Sequence, residues 1–145
     1  MRPNDLVRRP RVLVSEDVDV EGLPPIIDAK VLMQLADPTH GGDPTFAAEI
    51  VGIFLDETPG RLDAMHAAVA RGDAEALART AHALTSSAGS LGLPRMRALC
   101  IDVEVSCRRG AFDVAVLLVP RLSAAFAQSG DALRAHIASL EGAAR

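Results

Sequence analysis

Aromatic residues are nearly missing from this chain: four Phe, no Trp and no Tyr in 145 residues. Sheets usually recruit aromatic and β-branched side chains. A chain that is 49% hydrophobic yet relies on Ala, Leu, Val and Ile points instead to helices packed on helices. A basic excess is missing too. Asp and Glu outnumber Lys and Arg by 19 to 15, a net charge of −4, so the electrostatic footprint of a nucleic-acid binder is excluded. The clusters Arg8, Arg9 and Arg11, and Arg108 and Arg109, read as solvated surface. Cysteine is scarce. Cys100 and Cys107 stand two helical turns apart, about 10 Å of rise, too far for a disulfide. Their seven-residue spacing is that of core positions, so buried thiols are expected rather than zinc ligands. The first residues hold no apolar signal core, and no uninterrupted apolar run reaches membrane-spanning length. The expectation is a cytoplasmic protein with no membrane association.

What is present is organised for helices. Residues 1–25 form an arm or linker of Arg, Asp, Glu and Pro that ends in GLPP, a poor helix start. Within it RVLVSED (11–17) reads as a short strand and resembles the opening strand and acidic pair of a receiver domain. No strand–helix units follow to complete one. A short helix is expected from Asp28, its N-cap, to Ala36, stopped by Pro38. After the THGGDP loop, a long helical pattern starts at Thr45 and carries Phe46, Ile50, Ile53, Phe54, Leu62, Met65 and Val69. Pro59 interrupts it, giving either a kinked helix or two stacked ones. In RGD (71–73) Gly72 suits a left-handed C-cap and Asp73 the next N-cap.

A third segment runs from Ala74 to about Leu91, and GLP closes it, with Pro94 placed in the first turn of the next helix. That next helix has the stripe Met96, Leu99, Cys100, Val103 and Cys107 and ends at RRG. From Ala111 a last helix or pair follows, with Leu118, Leu122, Phe126, Leu133, Ile137 and Leu140 facing inwards; Pro120 is expected to kink it and SGD (129–131) to break it. Four long amphipathic segments with short connections predict an all-α fold, an antiparallel up-down-up-down four-helix bundle over residues 26–141 with a short extra N-terminal helix and a tail at 142–145.

On the third segment Leu77, Ala81, Leu84, Ala88 and Leu91 alternate steps of four and three, a seam facing the core. At 3.6 residues per turn, His82 falls about 140° from the centre of that seam, with Arg79 and Ser86 on the same outward side, Thr85 on the flank and Gly89 further along. Its neighbours Ser86, Ser87, Gly89 and Ser90 are middling to poor helix formers. A merely soluble face would carry Glu, Lys or Arg. Small residues leave backbone bare, so another protein can approach the imidazole. His40, His66 and His136 lack such a setting. No histidine pair has metal-site spacing, and no P-loop lysine follows GIFLDETPG.

The stretch TAHALTSSAGSLGLP (80–94) resembles the signature of the histidine-containing phosphotransfer (HPt) domains of multistep phosphorelays, roughly A-H-x-[LI]-K-[GS]-[SA]-[SA]-x-x-[LV]-G-[AL]. Ala81, His82, Leu84, Ser86, Ser87, Ala88, Leu91, Gly92 and Leu93 match in register. The likeness takes in flanking helices over about residues 26–141. It implies a phosphoryl carrier, not an ATP-using kinase: His82 accepts a phosphoryl group from a receiver aspartate and passes it to another receiver. The implied partners are response-regulator receiver domains and a hybrid histidine kinase. No cofactor of its own is implied, with Mg²⁺ supplied by the receiver, and the expected state is a monomer. The family usually has lysine three residues after the histidine, where this chain has Thr85. Arg79 is then expected to take over part of that charge, with Thr85 and Ser86 donating hydrogen bonds. Gly89 joins the docking face, as do Arg61, His66 and Arg95. Loss of the lysine also favours an alternative, a non-catalytic module that binds a receiver without carrying phosphate.

Overall fold

Aspartate opens three of the five helices. In the computed structural model, which describes residues 22–144, the Asp28 side chain accepts from the Lys30 N–H at the start of α1 (Ala29–Ala36). Asp43 does the same for Thr45 at α2 (Pro44–Ala70), and Asp73 for Ala76 at α3 (Ala74–Ser90). Each satisfies an amide that the helix itself leaves unpaired. Pro94 starts α4 (Pro94–Arg108) at a position where its missing N–H costs nothing, and α5 spans Phe112–Ala144. The RVLVSED segment and the rest of residues 1–21 lie outside the described residues. No strand occurs among the described ones.

Consecutive long helices are joined by three-residue turns at 71–73, 91–93 and 109–111. Helix α2 packs on α3 and α5, α3 on α4, and α4 on α5, while α1 lies against α2. The helical bundle encloses a core in which Leu77, Leu84, Met65, Met96, Val103, Leu118 and Leu122 are all buried. Burying such side chains contributes about 1.5–3 kcal/mol each. The α3 seam and the α4 stripe are the buried faces read from the sequence. Cys100 and Cys107 are free buried thiols, and burial pushes the Cys100 thiol up to about 12.

The two long segments that the sequence left as one helix or two are each a single helix, and the break expected at SGD is missing. Helix α2 is continuous through Pro59. The proline ring is on the exposed face, where the carbonyl it leaves free can meet water. The buried stripe of α2 is Ala47, Val51, Phe54, Thr58, Leu62, Met65 and Ala68, whereas Phe46 and Ile53 are 51% and 56% exposed. Helix α5 is likewise unbroken at Pro120 and at SGD. Ser129 and Gly130 are buried within the helix, facing the bundle rather than forming a turn. By length and composition Phe112–Gly142 could cross a membrane; a third of its apolar 18-residue stretch is buried in the bundle.

The α3–α4 turn positions the site. Gly92 adopts φ +74, a left-handed conformation, and a Cβ there would lie 2.7 Å from the Asp28 carbonyl oxygen and 2.8 Å from Val31 Cβ. Only glycine fits. The Gly92 carbonyl in turn accepts from the Asp28 N–H at 2.7 Å, which ties the start of α1 to the turn.

Candidate functional site

Helix α3 turns Leu77, Ala81, Leu84 and Ala88 into the core, which carries His82 to the opposite side with a side chain 69% exposed. Its Nδ1 lies 3.0 Å from Oε1 of Glu104 on α4. A carboxylate only accepts, so in the neutral ring Nδ1 carries the proton and Nε2 keeps its lone pair. The other Glu104 oxygen accepts from Arg108 Nε at 2.9 Å, one turn further along α4. Glu104 is itself mostly covered, 18% exposed. Burial pushes its carboxyl up, but hydrogen bonds and charge from His82 and Arg108 outweigh this and hold it below its ordinary range. The result is a ring gripped on one nitrogen by an ionised acceptor, with its other nitrogen available as a nucleophile.

Glu104 and Arg108 were not singled out from the sequence. The contact joins residues 22 apart and depends on the register between two helices. The one local signal was Glu104 four residues before Arg108, a spacing that pairs side chains on a helix.

The remaining candidates divide between the two sides of α3. Thr85 is half-buried, and its hydroxyl donates to the Ala81 carbonyl at 2.9 Å; its proton is committed to its own helix, against the expected donation outward. Ser86 is exposed one turn beyond His82. Gly89 is exposed, and Arg97 of α4 runs across it, with Cδ and Nε each 3.3 Å from where a Cβ would stand. Arg79 lies 3.7 Å from Glu75 and lines a groove with Arg61, Gly60, Ala64, Thr80 and Ala83 between α2 and α3. The His82 ring leans to the other side of α3, toward α4. His66 bonds Ser123 of α5 at 3.3 Å, and Arg95 donates to the Pro24 carbonyl at 2.9 Å; both hold structure elsewhere than at His82. Among the described residues no group of three His, Cys, Asp or Glu is arranged to hold a metal ion.

Comparison with known proteins bears on what such a site does. The crystal structure of histidine-containing phosphotransfer protein B (HptB) from Pseudomonas aeruginosa PAO1 is similar to this chain, with a TM-score of 0.70 and 27% identity over 79% of this chain and 96% of that one. No curated protein matches. The family model of the Hpt domain matches residues 49–143, the span holding α3, α4 and the His82–Glu104 pair. This chain therefore belongs to the Hpt domain family, the histidine phosphotransfer modules of phosphorelays.

Proposed function

We propose that His82 is the phosphoryl acceptor, taking the group from the aspartyl phosphate of one response-regulator receiver and giving it to another. The observation that carries this reading is the bond between Nδ1 and Glu104, which leaves Nε2 as the exposed nucleophile. In the forward step the Nε2 lone pair forms a bond to phosphorus. The bond from phosphorus to the aspartyl oxygen breaks, and its electron pair returns to the receiver carboxylate. The proton stays on Nδ1, so the ring gains positive charge as the N–P bond forms, and Glu104 stabilises that charge. The same protonated ring is a good leaving group in the reverse direction, which suits a carrier.

The bundle supplies position and one counter-charge; Mg²⁺ and the remaining phosphoryl contacts come from the receiver. The up-down-up-down arrangement, supported by the three-residue turns and the ring of packed helices, makes α3 a rigid mount for the nucleophile. On this reading the protein is a cytoplasmic covalent carrier and not a kinase, fed by a hybrid histidine kinase, and it works as a monomer.

One observation favours the second reading, a module that binds a receiver without transfer. Position 85 offers neither the usual lysine nor a free hydroxyl. Incubation with a phosphorylated receiver and Mg²⁺ separates the two. Acid-labile label on the wild type and none on His82→Gln supports the carrier; binding without label on either supports the module.

A further inference from the structure

The first turn of α4 is electrically unusual. It contains Arg95 and Arg97 and no acidic residue, although a helix N-terminus favours anions and disfavours cations. Arg95 is accounted for by its bond to the Pro24 carbonyl. The exposed side chain of Arg97 has no hydrogen bond or ion pair among the described residues. The other arginines around the site each have an acid: Arg108 with Glu104 at 2.9 Å, Arg79 with Glu75 at 3.7 Å, Arg61 with Glu57 at 3.9 Å.

Arg97 is also placed where a partner must come. Its side chain lies on Gly89, two turns from His82 on α3, about 10 Å along the helix. The pair sits on the α3–α4 seam toward which the His82 ring leans. A specific interface covers about 800 Å² per partner and so extends well past 10 Å from its centre. An interface of that size centred on His82 and following the α3–α4 seam covers Arg97 as well. Covering a guanidinium without supplying an anion is strongly unfavourable.

We infer that Arg97 is a specificity-determining docking residue that receives a carboxylate from the surface of the incoming receiver domain. This rests on the phosphotransfer reading above. Gly89 is the complement of this role: its missing side chain makes room for the Arg97 side chain over α3, and Arg97 is exposed there. At about 10 Å the group is too far along α3 to serve the phosphoryl oxygens directly, so its contribution is to binding and partner choice. Receivers with an acidic residue at the matching place are accepted, and those with a basic one are rejected.

The test uses receiver domains phosphorylated with acetyl phosphate in the presence of Mg²⁺, and takes forward one that labels wild-type His82. Arg97→Glu and Arg97→Gln are compared with wild type for Kd at low and high salt, and for the single-turnover transfer rate at saturating receiver. Glutamate suits a helix N-terminus, so Arg97→Glu retains the fold, and a thermal melt checks this. The expected result is binding weakened about tenfold or more for Arg97→Glu and less for Arg97→Gln. The gap should narrow as salt screens it, and the saturating rate should stay within about twofold of wild type. Equal Kd values for all three proteins at low salt overturn the inference and leave the carrier reading intact. A loss of saturating rate at unchanged Kd also overturns it, since Arg97 would then act on the chemistry. If no receiver labels His82, the carrier reading itself fails.

Discussion

His82 Nδ1 and Glu104 Oε1 lie 3.0 Å apart across the seam between α3 and α4, and Arg108 fixes the far oxygen of the same carboxylate at 2.9 Å. On the proposed carrier reading, this chain of three side chains sets which ring nitrogen is free and supplies the counter-charge for the phosphorylated ring. Removing the middle member should therefore act on rate more than on fold. Glu104→Ala is expected to slow single-turnover transfer roughly tenfold or more, by analogy with the loss of groups that orient a functional histidine. Glu104→Gln keeps an acceptor for Nδ1–H and should fall between the two. Wild-type rate in the alanine variant would remove Glu104 from the mechanism.

The same carboxylate predicts an acid dependence. Glu104 is held below its ordinary value of 4.5 in the folded protein, so in the window between its folded and unfolded values the unfolded chain binds more protons. Its stabilising contribution is complete above the unfolded value and disappears as pH falls through the folded one. Asp73, lowered chiefly by the Ala76 N–H, and Asp37, lowered chiefly by His40, act in the same direction. Tm should decline as pH is taken below the ordinary carboxylate range. Glu104→Gln should make that decline shallower, and an unchanged pH profile in the variant would count against the linkage.

Two glycines with nearly the same backbone conformation should behave differently. Gly72 at φ +70 has open space around a would-be Cβ, whereas at Gly92, φ +74, the Asp28 carbonyl and Val31 stand in the way. Gly72→Ala should carry only the left-handed penalty, about 1 kcal/mol. Gly92→Ala should cost more, because α1 has to move off the turn. The buried Leu84→Ala, at about 2–5 kcal/mol, gives the scale for a core lesion. Urea denaturation of the three variants measures the order, and equal costs for the two glycines would mean that α1 is not seated on the turn.

Thr85 makes a gain-of-function test. Its hydroxyl is spent on the Ala81 carbonyl, so exchanging it removes no contact with the ring. Thr85→Lys restores the family's cation beside His82 on a side chain that suits a helix, and should accelerate transfer several-fold without loss of Tm. A slower variant would show that this site has been built around a neutral position 85.

What the sequence revealed and what it hid follow from the range of the interactions involved. The faces of α3 and α4 were legible because their buried residues are also their most apolar ones at steps of three and four. The buried face of α2 was less legible: Ala47 and Thr58 face the core while Phe46 and Ile53 face out, because packing on α3 and α5 selects by register rather than by side-chain size. At Ser129 and Gly130 poor helix formers stayed helical because tertiary packing of a buried helix overrides local propensity. His82 was visible through its small neighbours. Glu104 was not, since nothing local to residue 104 announces a partner on another helix.

The central claim is that His82 carries the phosphoryl group on Nε2 because Glu104 holds the proton on Nδ1. Phosphorus–nitrogen correlated NMR of ¹⁵N-labelled protein, phosphorylated by a receiver domain, tests it most directly. The account predicts one phosphohistidine, at residue 82, with phosphorus coupled to Nε2 and a protonated Nδ1. Phosphorus on Nδ1, on another histidine, or on none while the receiver binds and keeps its own phosphate, would contradict it.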